Sequence, residues 1–169
     1  MPETAQQYRK RLAGYIKGED PLSMQRATPG KLARLIDGVS AQRLGHRPAP
    51  DKWSIVEILA HLAEDEIASS WRYRQMIEHD RETLCGFDQE LWARLGNYGT
   101  WNVSEARELF RLLREANLRM LGSLLPEQWE RSGNHVERGK LTVRELARHM
   151  AAHDINHIKQ IEKLLAVRK

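Results

Sequence analysis

Trp53-Ser54-Ile55-Val56-Glu57-Ile58-Leu59-Ala60-His61-Leu62-Ala63-Glu64 reads as the opening of a long helix. Ser54 with Glu57 three residues on is the pattern of a capping box, and Ile55, Ile58, Leu59 and Leu62 recur at helical spacing. The helix is predicted to run to about Asp80. Downstream, Thr142 with Glu145 opens a last helix to about Val167, and Ser104 with Arg107 opens another to about Leu124. Upstream, Thr28-Pro29 resembles an N-cap followed by proline at the first helical position, which predicts a helix over Lys31 to Asp37 before Gly38. Residues from about Glu3 to Lys17 carry a weak amphipathic signal, ended by Gly18-Glu19-Asp20-Pro21. A Pro-rich loop over His46 to Asp51, a short helical piece over Asp88 to Arg94, and a loop from Gly133 to Gly139 after Pro126 complete the chain. No stretch alternates with period two for long enough to predict a strand. Four main helices predict an all-α bundle, and 169 residues predict one domain over 1–169.

Composition narrows the function classes. Apolar residues make up 41% and charged residues 30%, as in an ordinary globular protein. The net charge is +4, but the bases are interleaved with acids, as in Glu105-Ala106-Arg107-Glu108. That is the pattern of solvated helix faces, so no nucleic-acid partner is expected. The single Cys85 cannot form an intrachain disulfide, and no apolar run is long enough to cross a bilayer. With no charged-then-apolar leader, the expectation is a cytoplasmic protein without a membrane partner. There is no glycine-rich phosphate loop, and Trp53, Trp71, Trp92, Trp101 and Trp129 are expected in the core and around a pocket.

The histidines carry the chemistry. His153 and His157 stand four residues apart, one above the other on a helix, so both can hold one ion while His61 on another helix completes a three-nitrogen site. At roughly 100° per residue, His157 falls inside the apolar stripe of the last helix and His153 at its edge, whereas His149 lies about 80° from His157. His61 flanks the stripe of its own helix, a position that suits the rim of a pocket. Glu66 and Ser69 fall near the centre of that stripe, where a carboxylate is costly without a partner, and this predicts a polar cavity beside them. The spacing leaves a second reading open, since His-x-x-x-His also arises by chance and an edge histidine can be a packing residue. A further alternative pairs Cys85, beside Gly86, with a histidine as a nucleophile.

Taken together, Arg47-Pro48-Ala49-Pro50-Asp51-Lys52-Trp53-Ser54 leading into Glu57 and His61-Leu62-Ala63-Glu64, Phe87-Asp88-Gln89-Glu90-Leu91-Trp92-Ala93, and His153-Asp154 with His157, Gln160 and Ile161 resemble the DinB/YfiT-like superfamily of small helical-bundle proteins. The resemblance implies an up-down four-helix bundle with an unusual helix order. It also implies a divalent metal held by His61, His153 and His157, with zinc or nickel suited to imidazole donors. Where the family has Asp three residues after its first histidine, this chain has Glu64 and then Asp65, so either carboxylate is a candidate to orient a ligand or move a proton. Relatives of this kind imply a metal-dependent enzyme acting on a small electrophilic substrate, either a thiol S-transferase with a low-molecular-weight thiol as cofactor or a hydrolase. Family habit implies a homodimer. The alternative is a non-catalytic metal- or ligand-binding bundle.

Overall fold

Why four helices pack here, and in which order, follows from where their apolar and charged faces meet in the computed structural model, which describes residues 4–136 and 138–167. The elements are α1 (Ala5–Tyr15), α2 (Pro21–Ile36), α3 (Ala41–Leu44), α4 (Ile55–Glu78), β1 (Glu82–Leu84), α5 (Gln89–Leu95), α6 (Val103–Gly122), β2 (Ser132–His135), β3 (Gly139–Thr142) and α7 (Val143–Ala166). Both α2 and α4 pack on α6 and on α7, so the order around the four-helix bundle is α2, α6, α4, α7. Helix α1 lies outside this ring, with Leu12 and Ile16 against Ala151 and Ala152 of α7. Among the described residues, no helix is long and apolar enough to cross a membrane.

The two helices that matter most start as the sequence predicts. Ser54 Oγ accepts from the Glu57 amide while Glu57 accepts from the Ser54 amide at 2.8 Å, and Thr142 and Glu145 repeat the arrangement on α7. Each box satisfies amides that the first turn leaves without helical partners. Arg47 adds a forked ion pair to Glu57, which ties the Pro-rich loop to the start of α4.

Several expectations are corrected. The Thr28-Pro29 pair does not start a helix: α2 starts at Pro21, capped by Asp20, whose carboxylate accepts from the Ser23 amide at 2.8 Å, and Pro29 lies inside it. An internal proline leaves the carbonyl four residues back without its amide, and here Arg114 of α6 donates to that Gln25 carbonyl at 3.1 Å. Helix α6 is capped by Asn102, not Ser104. The loop after Pro126 contains strands: β2 pairs parallel with β1 and antiparallel with β3, with Leu84 opposite His135 and Ser132 opposite Thr142. Gly133 is required there, because a Cβ would lie 2.6 Å from Leu84 Cγ. Lastly, Trp71 is 64% exposed, so it belongs neither to the core nor to a pocket. The weak helical signal from Glu3 corresponds to α1, although Glu3 itself lies outside the described residues.

Glu66 sits in an ion cluster and not in a polar cavity. Arg114 donates to Glu66 at 2.8 Å and to both oxygens of Asp154 at 2.5 and 2.9 Å. Thr28 donates to Asp154 at 2.8 Å, and Asn117 donates to Glu66 at 2.9 Å. Thus α2, α4, α6 and α7 each supply a side chain to one buried node. Burial opposes the charge on Arg114, but Asp154 and Glu66 outweigh it and hold its pKa above the ordinary arginine value. The node divides the apolar core. On one side lie Ile58, Leu59, Leu62, Phe110 and Ile161, and on the other Tyr73, Met76, Leu121, Leu146 and Met150. Ser69 bridges to the second half by donating to Met150 Sδ at 3.0 Å.

Removing one partner of a buried ion cluster leaves the others charged and unpaired, which costs about 3–5 kcal/mol. Arg114→Ala is therefore expected to lower the unfolding free energy by about that amount in urea titrations. A loss below about 1 kcal/mol, the scale of an exposed pair, would show that the node does not hold the bundle.

Candidate metal centre

Helices α4 and α7 bring together the three histidines singled out by spacing. His61 sits one turn beyond Glu57, and His153 and His157 occupy successive turns of α7. The Nε2 of His153 lies 3.2 Å from that of His61 and 3.0 Å from that of His157. All three side chains are buried, with residue exposures of 2%, 7% and 7% for His61, His153 and His157. Nitrogen ligands at about 2.0–2.1 Å from a shared ion must themselves lie roughly 3 Å apart, so this convergence has the scale of a metal centre. Packing alone explains it poorly, because a neutral imidazole nitrogen carries either one proton or one lone pair, so His153 Nε2 can complete a hydrogen bond with only one of its two histidine neighbours.

The outward-facing nitrogens differ in their support. His157 Nδ1 meets Gln160 Oε1 at 3.0 Å, and donation there leaves the Nε2 lone pair aimed at the centre. His153 Nδ1 lies 3.4 Å from an Asp65 oxygen but makes no hydrogen bond, so the carboxylate lies near it without satisfying it. His61 Nδ1 is buried and unsatisfied, and Trp53 covers its ring at a centroid distance of 4.9 Å. Burial, then the charge of His157, lowers the pKa of His61 to about 4, while Asp65 opposes the shift. Burial lowers His157 to about 4 against the opposing bond from Gln160, and it depresses His153 further, helped by its histidine neighbours. Near neutral pH all three are unprotonated, the form that can ligate a cation.

The centre lies in the wall of a cavity of about 980 Å³ that also reaches Asp65, Arg72, His135, Arg138 and His149. The two adjacent carboxylates separate here. Asp65 lines the cavity, whereas Glu64 accepts from Tyr98 Oη at 2.6 Å and does not line it. Burial raises the Asp65 pKa, with His61 opposing and Glu66 adding to the rise. His149 approaches His153, at a ring distance of 5.9 Å, but stands outside the converging triad. Cys85 is exposed and does not line the cavity. Gln160 and Arg72 could have been found by spacing, three residues from His157 and seven from Asp65 on the same helix face. His135 and Arg138 have no such signal, because the small sheet brings them in.

A four-helix bundle with three inward imidazoles between its second and last long helices offers a cluster of nitrogen atoms that could hold a cation at a pocket. The chain belongs to the DinB superfamily, whose family model matches residues 25–161. It is similar to a protein of Oceanobacillus iheyensis named "Putative metal-dependent hydrolase", with 23% identity over an alignment covering 66% of this chain and 64% of that protein. It is also similar to "Putative metal-dependent hydrolase YfiT" of Bacillus subtilis, 21% identical over 80% of this chain and 77% of the other. The fold matches the solved structure of YfiT, described as having an unusual four-helix bundle topology, with a TM-score of 0.80, 18% identity, and coverage of 95% of this chain and 87% of that one.

The depressed histidine pKa values fix a direction of pH dependence in the metal-free protein. Between about pH 6.5, where an unfolded histidine titrates, and about 4, the unfolded chain binds protons that the folded one does not. Stability is then full above that window and falls as pH drops through it, by at most about 1.4 kcal/mol per pH unit for each such histidine. Urea midpoints measured in chelator at pH 7.5 and 5 should show this loss, and a flat profile would contradict it.

Proposed function

We propose that this chain is a divalent-metal-dependent enzyme acting on a small substrate, with His61, His153 and His157 as the ligands. The observation that carries the reading is the convergence of the three Nε2 atoms in the wall of a cavity of about 980 Å³. Imidazole donors suit zinc or nickel. When bound there, such an ion would supply Lewis-acid chemistry, acidifying a water or thiol.

The remaining roles fall to the chain itself. Gln160 holds the His157 ring by accepting from Nδ1, and Trp53 covers the His61 ring and keeps water from it. Asp65, with an oxygen 3.4 Å from His153 Nδ1, would orient that ring and take up a proton at its carboxylate, whose pKa burial raises. Glu64 acts at one remove: it holds Tyr98, whose ring packs at 6.3 Å on Trp53. Hydrolysis is the reading favoured by the names of the relatives. The cavity volume favours a second use of the same centre, because it stands at the upper end of the range for small-molecule sites and has room for a low-molecular-weight thiol beside an electrophile.

Metal analysis after loading with zinc or nickel should give one ion per chain, and His61→Ala, His153→Ala and His157→Ala should each lose most of it while remaining helical. His149→Ala should keep the metal. Full occupancy in His157→Ala would overturn the ligand set. Turnover across ester and thiol–electrophile panels should depend on the restored metal, and equal rates in chelated and loaded protein would favour a binding bundle instead.

A further inference from the structure

The three candidate ligands are not held alike. Gln160 meets His157 Nδ1 and Asp65 lies near His153 Nδ1, whereas His61 Nδ1 is buried and makes no hydrogen bond. The outer torsion of a histidine has broad, two-fold preferences, so a ring without such a bond needs another restraint to keep one nitrogen aimed. For His61 the restraint on offer is aromatic. Trp53, which also lines the cavity, lies against its ring at a centroid distance of 4.9 Å and an interplanar angle of 53°.

What backs Trp53 comes from later in the chain. Tyr98 belongs to a 3-10 turn over Tyr98–Thr100 that packs on α4, and it meets the Trp53 ring edge to face at 6.3 Å. Behind it Trp101 meets the Tyr98 ring at 5.8 Å, and the Trp101 indole N–H donates to the Gly96 carbonyl at 2.8 Å. Tyr98 is 1% exposed, and its hydroxyl donates to Glu64 at 2.6 Å. Glu64 stands three residues after His61 on α4, so the row of rings that starts at His61 returns to the same helix about one turn on. The adjacent carboxylates thus face different tasks: Asp65 lines the cavity, and Glu64 fastens Tyr98.

Resting on the reading of the three histidines as a metal centre, we propose that Trp53, Tyr98 and Glu64 form a clamp that positions the His61 ring so that its Nε2 points at the ion. All three act through His61 and are positioning residues. The bond from phenol to carboxylate is the fastening, because a hydrogen bond to a charged acceptor is strong and directional where ring packing is not. With it made, Tyr98 is held between two indoles and Trp53 has no room to draw back from His61. The clamp takes the place of the polar partner that orients most metal-binding histidines.

Two measurements on the full chain test this, one with metal and one without. In chelator-treated protein, the ring-proton resonances of His61, identified by their loss in His61→Ala, should move in Tyr98→Phe and in Glu64→Ala, while those of His157 stay in place. Glu64→Gln keeps an acceptor for the Tyr98 hydroxyl and should leave them near the wild-type position. Zinc affinity, measured by competition with a chromophoric chelator, should fall about tenfold in Trp53→Leu, within the range for loss of a group that orients a ligand. Tyr98→Phe and Glu64→Ala should each weaken zinc by a smaller, equal factor, and the double variant no further than either alone. Unmoved His61 resonances in both Tyr98→Phe and Glu64→Ala, wild-type zinc affinity in Trp53→Leu, or a Glu64→Gln protein that behaves as Glu64→Ala would overturn the clamp. Moved resonances in a protein that takes up no zinc would leave the clamp standing and defeat the metal reading alone.

Discussion

The buried guanidinium of Arg114 is the constraint on which the bundle depends. It answers carboxylates from α4 and α7, and it also takes the α2 carbonyl that Pro29 leaves without its helical amide. A charge in an apolar interior is tolerated only when its partners are in place, so the node admits one rotation and one axial position of each helix. Apolar packing alone would tolerate many. The same bond that rescues a proline inside α2 therefore fixes the register of the whole bundle.

That register reaches the candidate centre through a single peptide. Asp154 is locked to Arg114 and Thr28, and His153 precedes it. With α7 held at Asp154, His153 and His157 are turned toward α4, where the capped and Arg47-tied start of the helix fixes His61 one turn further on. The order of polarity is consistent with this division of labour. Charges that hold the helices are paired with one another, whereas His61 Nδ1 and His153 Nδ1, like Arg114 Nε and Asn117 Oδ1 of the node, remain buried without hydrogen bonds.

The small sheet explains why the cavity has two chemical halves. Its strands are too short to fold alone, yet β2 and the turn after it bring His135 and Arg138 to the cavity that Arg72 and His149 also line. One half then offers neutral imidazole nitrogens, and the other is lined by Arg72 and His149 from helices and by His135 and Arg138 from the sheet segment.

How far residues alone carry this picture depends on how local each signal is. The capping boxes at Ser54 and Thr142, the helical spacing of α4, α6 and α7, and the His61, His153 and His157 set were legible because each depends on contacts within a few residues or on the periodicity of one helix. Thr28-Pro29 misled for the converse reason: a cap and an internal proline look alike until Arg114, far along the chain, supplies the missing donor. Glu66 stands out in the sequence as a carboxylate in need of a partner, but the polar cavity expected beside it is an ion cluster, since its partners Arg114 and Asn117 lie on another helix. The short strands were invisible because pairing between β1 and β2, not alternation, defines them. Local hydrogen bonding and periodicity thus determined the helices and nominated the candidate ligands, whereas the node, the sheet and the rest of the cavity lining were decided by tertiary structure, where distant charges and backbone groups must be satisfied together.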